Sequence, residues 1–331
     1  MLSNRLAAGL MRPLWQGRAS IFMLHRLSER VTSGSTVTIE SITDSLQSLR
    51  KAGARFVSLS HLFELAAQGK EPEPGSVAFT IDDGFADQGV IAREAFERNG
   101  CPVTIFLIAG FIDGRLWPWD DQIAHAIRHS GTPSVVLPPD GRRFDLTTPE
   151  GRRAAVGTMQ NHCKTLPWSL AASALDELYT NLRFRPPAEP PGEYQPLSWD
   201  GIRALESRYV EFAPHSLSHR ITSRLSDDEA REEIEGSWQR LRTELRRPAS
   251  VYAWPTGRDV DFCERDMRIA KSIGLNGAVA TNDDYGDFRA QPDNPNRLYR
   301  VRRFSMSAYP VDNLQVGTGI ERLKQTLRRS A

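Results

Sequence analysis

The chain has 331 residues, 40% hydrophobic and 25% charged, and its 42 Lys and Arg balance 41 Asp and Glu to a formal net charge of +1. That length suits one large α/β domain or two smaller ones, and the composition excludes a disordered polyelectrolyte. Near-neutrality removes the electrostatic warrant for a nucleic-acid partner. No apolar run reaches the ~20 residues that span a bilayer. The three cysteines, Cys101, Cys163 and Cys263, are far apart and imply neither a disulfide framework nor a thiolate zinc cage. A reducing, cytoplasmic setting is the default expectation.

From Ser20 to Leu107, short apolar runs alternate with stretches of helical period, which predicts βα units around a parallel sheet and a barrel-like α/β fold. Ile21–Leu24 reads as a strand, and Ile39, Ile42, Leu46 and Leu49 as one helix face. Arg55–Leu59 reads as a second strand, followed by a short helix over His61–Ala67. After the Pro72 and Pro74 break, Val77–Ile81 is a third strand. A helix marked by Ile91, Ala95 and Phe96 closes at Asn99-Gly100, and Val103–Ile108 is a fourth strand.

The alternation blurs over about 110–196, where proline pairs interrupt a patchily helical segment that reads as an insertion. It resumes with a helix over Trp199–Leu205, a strand over Tyr209–Phe212 and a patterned helix from Ser226 to Leu245, opened by a Ser226/Glu229 capping box. Val251–Trp254, a helix around Met267–Ile273 and Ala278–Ala280 add further units before a loop-like stretch over Asn282–Asn296. The domain reading is an N-terminal extension over 1–19, a barrel over 20–310 carrying the insertion, and a C-terminal tail or helix over 311–331. Leu2, Leu6, Leu10, Leu14 and Trp15 beside Arg5, Arg12 and Arg18 could rest on a membrane surface.

Two constellations carry chemistry. In Phe79-Thr80-Ile81-Asp82-Asp83-Gly84, two carboxylates sit where an apolar strand ends, the place where α/β scaffolds build active sites. Environment can divide such a pair, one acid binding a cation and the other moving a proton, although a polar turn with a helix cap reads equally well from this segment alone. In His215-Ser216-Leu217-Ser218-His219, also directly after a strand, imidazoles at i and i+4 would lie on one face of a helical turn and share a metal. Two histidines and one carboxylate leave an open position for water, as catalytic metal sites do.

Together these segments resemble the paired motifs of the polysaccharide deacetylases, carbohydrate esterase family 4. Leu197-Ser198-Trp199-Asp200, Leu225-Ser226 and Ala253-Trp254-Pro255-Thr256-Gly257 extend the resemblance over roughly His25 to Phe304. It implies a deformed (β/α) barrel in which Asp83, His215 and His219 hold a divalent metal. That metal is usually zinc, with cobalt, nickel or manganese as alternatives, and Asp82 is the general base. The late histidine that many members use as general acid is missing, because the last histidine is His219. Leu24-His25-Arg26 resembles the opening of a permuted branch whose acid histidine lies on the N-terminal side, which points to His25.

The same branch has an arginine near the end of the last strand that faces the site. Arg303 fits that register, with Arg258, Arg300 and Arg302 as alternatives. The analogy also points to Trp254 and Pro255 as substrate contacts and to backbone N–H groups around Tyr252–Trp254 as oxyanion donors, while Thr256 stands where the family usually has an aromatic. Trp117 and Trp119 offer flat rings to stack on a sugar, with core packing as the other reading. The resulting expectation is a metal-dependent hydrolase of C–N bonds other than peptide bonds, removing N-acetyl groups from amino sugars of a bacterial exopolysaccharide, capsule or envelope precursor. Its rivals are a non-catalytic glycan-binding protein on the same scaffold and a deacetylase of O-acetyl esters or small molecules.

Overall fold

The computed structural model describes residues 15–26, 37–291 and 293–322. Strands and helices alternate at first: β1 (Arg18–Leu24), α1 (Ile39–Lys51), β2 (Arg55–Phe56), α2 (Leu59–Ala67), β3 (Ser76–Asp83), α3 (Ala86–Ile91) and β4 (Val103–Leu107). β2 is shorter than the apolar run suggests because the Ser58 hydroxyl accepts from the His61 N–H, starting α2 at Leu59. α3 runs on through a wider turn over Ala92–Phe96 and ends where Gly100 takes a left-handed φ of 59°.

The segment expected as an insertion is an ordered subdomain. It contains α4 (Ala109–Ile112), α5 (Trp119–His129), the hairpin β5 (Ser134–Leu137) and β6 (Arg142–Asp145), α6 (Pro149–Cys163) and α7 (Trp168–Leu182). Ile123, Ile127, Phe144, Met159 and Leu178 pack into a core separate from that of the barrel. The chain then returns through α8 (Trp199–Leu205), β7 (Val210–Pro214), α9 (Asp227–Glu244), β8 (Val251–Ala253), α10 (Glu264–Ser272), β9 (Gly277–Val279), β10 (Gly286–Asp287), β11 (Phe304–Ser305) and α11 (Pro310–Gly317). α11 packs against α1, where the Asn313 amide donates to the Ser45 hydroxyl at 3.0 Å.

β1, β3, β4 and β7 form a parallel ladder in that order, and β11 adds to the other edge of β1. β8 and β9 make a separate parallel pair. Only a few bonds stitch the two arcs into a ring. Ala249 N–H donates to the Phe212 carbonyl at 2.8 Å, and across the other seam Val301 N–H donates to Ala278 and Ala280 N–H to Val301. These sparse seams make the structure a deformed barrel, and the strands buried on both faces explain its near-continuous apolar runs.

The two-residue period of the strands decides which side chains enter the barrel. Ile21, Ala78, Phe106, Ala213, Val251 and Val279 fill the interior, while Phe22, Phe79, Ile81 and Phe212 face the surrounding helices. On β3, Thr80 and Asp82 therefore follow Ala78 inward. The register pairs Leu24 with Ile81, Asp83 with Leu107 and Leu107 with Pro214, so His25, the two aspartates and His215 emerge at one end of the barrel.

Among the described residues no helix is long and apolar enough to cross a membrane. Leu2, Leu6, Leu10 and Leu14 of the proposed surface-resting stretch lie outside the described residues. Trp15, its last member, is buried edge-on against Tyr285 with ring centroids 5.5 Å apart, so it is a core residue.

Candidate metal centre and active site

Asp82 and Arg303 meet inside the barrel. Arg303 donates from Nη1 and Nη2 to the two carboxylate oxygens at 2.7 and 2.8 Å, from Nη1 to the Thr80 hydroxyl at 3.0 Å, and from Nε to the Ala280 carbonyl at 3.1 Å. Its guanidinium also lies 5.5 Å from the centre of the Phe106 ring. Burial alone would raise the Asp82 carboxyl, but this forked cation outweighs it and holds the carboxyl down at about 2. Asp82 is therefore an ionised, oriented carboxylate at any ordinary pH.

Asp83 ends the strand differently. Its φ of 95° turns the backbone out of the pleat, a conformation costly for any residue with a Cβ. Gly84 follows at φ 94°, where a Cβ would press to 2.9 Å from Ile112 and 3.0 Å from Leu107. This turn sends the Asp83 carboxylate toward the histidines: Oδ1 lies 3.6 Å from His215 Nε2 and 3.8 Å from His219 Nε2.

The donor set fits a metal ion. One ligand atom from each of Asp83, His215 and His219 lies within 4.8 Å of the others, and all three residues are buried. Asp83 Oδ1 is a buried acceptor with no hydrogen-bond partner, an arrangement that a cation would satisfy. The ring of His215 is set for the task, because its Nδ1 meets the Ala253 carbonyl at 2.8 Å, which fixes the proton there and leaves Nε2 free to ligate. Burial lowers His215 to about 3, so this ring is neutral, as a ligand must be. Burial also acts on His219, but Asp120, Asp83 and Asp121 outweigh it and raise that ring to about 9. Desolvation raises Asp83 as well.

The sequence model of the family described as "Polysaccharide deacetylase" matches residues 69–278, which span both constellations and most of the barrel. The chain belongs to the polysaccharide deacetylase family. Its fold is also shared with solved structures. It superposes with a TM-score of 0.59 on the Streptococcus pyogenes deacetylase PplD in complex with acetate, at 15% identity over 90% of this chain and 97% of that one. IcaB from Ammonifex degensii gives 0.53 at 17% identity over 91% and 95%, and the de-N-acetylase from Aggregatibacter actinomycetemcomitans 0.52 at 13% over 90% and 99%. At such identities the likeness shows the shared fold. No curated protein sequence matches the chain.

In this family member the His215–His219 segment is not the helical turn that the i, i+4 spacing suggests. It is an irregular loop, with left-handed φ of 69° at Ser216 and 61° at His219. Glu233, buried on α9, accepts from the Leu217 and Ser218 N–H groups at 3.0 and 2.9 Å and from the Ser218 hydroxyl, and Arg220 pairs with it. On the other side, Ala109 and Gly110 N–H donate to the Ser216 and Leu217 carbonyls at 3.0 and 2.8 Å. A Cβ on Gly110 would lie 2.5 Å from the Leu217 oxygen, so only glycine allows that approach.

Among the four candidate arginines, only Arg303 reaches Asp82. Arg258 pairs with Asp261, Arg300 with Glu264 and Arg302 with Asp259. His25 stands at the mouth with its side chain 49% exposed and Nε2 3.9 Å from Asp82 Oδ2. The aromatic expectations need correction. Trp117 and Trp119 are only 2% and 5% exposed, and their indole N–H groups donate to Pro187 and His219 carbonyls, so neither offers a face to a sugar. Trp254 is fully buried, stacked on Phe262 at 5.0 Å, and Pro255 is buried beside it. The Trp254 N–H donates to the Val279 carbonyl and is not a free oxyanion donor.

Sequence reasoning passed over three supporting groups. Gln88 clips the site from below: its amide donates to the His25 and Asp82 carbonyls and accepts from Gly84 N–H at 2.9 Å. Glu233 was legible only as an acid three residues after Ala230 and one before Ile234, on the apolar side of its helix. Asp120 lies 3.4 Å from His219 Nδ1, and nothing in its own segment signals that contact.

Proposed function

We propose that this chain is a metal-dependent deacetylase that removes N-acetyl groups from amino sugars of a bacterial glycan or glycan precursor. The observation that carries the reading is a buried, arginine-held carboxylate, Asp82, next to a cluster of three potential metal ligands, Asp83, His215 and His219. Family membership and the likeness to a solved de-N-acetylase support the choice of an acetylated glycan.

A divalent cation held by Asp83, His215 and His219, with zinc first in order, would polarise the acetyl carbonyl and acidify the attacking water. Asp82 accepts that water's proton. Arg303 occupies one lone pair on each of its oxygens, which leaves the others free and the carboxylate aimed. A carboxylate held so low is a weak base and would rely on the acidity that a bound cation would lend the water. The C–N bond then breaks and acetate forms as the sugar nitrogen takes a proton. We assign that proton to His25, a reading supported by its exposed side chain 3.9 Å from Asp82 and by the resemblance of Leu24-His25-Arg26 to the permuted branch.

The test is acetate release from oligomers of N-acetylglucosamine, abolished by a chelator and restored by zinc or cobalt, run beside O-acetylated sugars. Glycan binding without acetate release would instead make the chain a binding protein, and faster release from esters would change the bond cleaved. Replacing His25 by Ala should lower kcat about 10²–10⁴-fold with metal content unchanged.

A further inference from the structure

The two metal-ligating histidines are held in different ways. The Nδ1 of His215 is anchored on a backbone carbonyl of β8. His219 has no such anchor. Its Nε2 faces Asp83, and its Nδ1, buried on the opposite side of the ring, faces Asp120 Oδ1 at 3.4 Å. Neither of these two buried atoms has a hydrogen-bond partner elsewhere, so each is the group available to satisfy the other.

Asp120 belongs to α5, in the inserted subdomain, and its neighbour Trp119 donates its indole N–H to the His219 carbonyl at 3.0 Å. Consecutive residues at the start of one helix thus contact the ring and the backbone of one ligand. Asp120 is itself tied down from within the subdomain, where the Gln160 side chain of α6 donates to its carbonyl at 2.9 Å.

We infer that Asp120 is a positioning residue of the metal centre, accepting the Nδ1–H of His219 so that Nε2 presents its lone pair beside Asp83. The inserted subdomain then completes the site, and an aspartate from outside the two motifs does for His219 what the Ala253 carbonyl does for His215. Carboxylate partners of this kind fix the tautomer and ring orientation of a ligating histidine and strengthen it as a donor, and their loss typically costs about 10–100-fold in metal affinity. The inference rests on the metal reading above.

The test uses full-length protein stripped of metal with a chelator and titrated with cobalt, followed by visible absorption and by competition with a coloured chelator. Asp120→Ala should bind cobalt about 10–100-fold more weakly than wild type and shift the ligand-field bands. Asp120→Asn, of the same shape and still presenting an oxygen, should lose less. Thermal unfolding of the metal-free proteins reports the fold separately. The inference is overturned if Asp120→Ala keeps wild-type cobalt affinity and spectrum, even with a lowered unfolding temperature, since Asp120 would then serve the fold alone. It is also overturned if Asp120→Asn loses as much affinity as Asp120→Ala. Uptake by wild type but not by Asp83→Ala upholds the metal reading whatever Asp120 does; no uptake by any form, wild type included, would overturn both.

Discussion

Arg303 grips both carboxylate oxygens of Asp82, at 2.7 and 2.8 Å, with the side chains 0% and 1% exposed. The two residues are separated by 221 positions in sequence, and each arrives from a different strand region of the barrel. A pair so deeply buried is worth little against an apolar replacement of both members. Breaking it by removing one partner strands a charge and costs far more.

Arg303→Met should therefore destabilise the fold by roughly 3–5 kcal/mol, read from urea or thermal unfolding. Without the cation, burial dominates and the Asp82 carboxyl rises, so the acid limb of the activity profile should move to higher pH. Wild type shows the converse sign. Asp82 is held at about 2, below its ordinary 3.8, so its pairing contributes stability above that ordinary value and loses it as pH falls toward 2. That contribution, about 2 kcal/mol, should be missing from the acid-unfolding curve of Asp82→Asn.

Asp82→Asn leaves the buried Arg303 cation without its carboxylate and should lose stability for that reason, yet the protein that folds should retain metal while kcat falls by about 10²–10⁴, since the change removes a proton acceptor and no ligand. Asp83→Ala and His215→Ala should instead lose metal, as measured by elemental analysis after gel filtration. A near-wild-type rate in Asp82→Asn would show that the two adjacent acids divide their work differently.

Metal uptake should release a proton. In the metal-free protein, burial lowers His219 but Asp120 and its neighbouring acids raise it to about 9, so the ring is protonated at neutral pH. Ligation requires the neutral imidazole. Cobalt affinity should therefore rise with pH up to about 9, and calorimetry in buffers of different ionisation enthalpy should report the released proton. A pH-independent affinity would contradict this assignment.

Glu233→Ala should remove the acceptor of the Leu217 and Ser218 N–H groups and leave Arg220 without its closest partner. Orphaned groups of this kind cost about 1–3 kcal/mol each. Because the segment they hold carries left-handed residues at Ser216 and His219, metal affinity should fall together with stability. Loss of stability with unchanged cobalt affinity would show that the loop keeps its shape unaided.

Strand and helix order from Ser20 to Leu107 and from Trp199 to Ala280, the strand-end positions of both motifs and the identity of Asp83, His215 and His219 as a candidate ligand set were legible in the sequence, while the order of elements over 110–196 was not. Hydrophobic period and short motif spacing are local properties, written into neighbouring residues. Asp120 on His219, Glu233 under the motif loop, Gln88 between two backbones and the burial of Trp117, Trp119 and Trp254 were decided only by the tertiary structure. Each depends on which segments distant in sequence the barrel and its insertion bring face to face. A carboxylate on a helix looks the same in sequence whether it meets water or an imidazole, and an indole the same whether it stacks on a sugar or on Phe262.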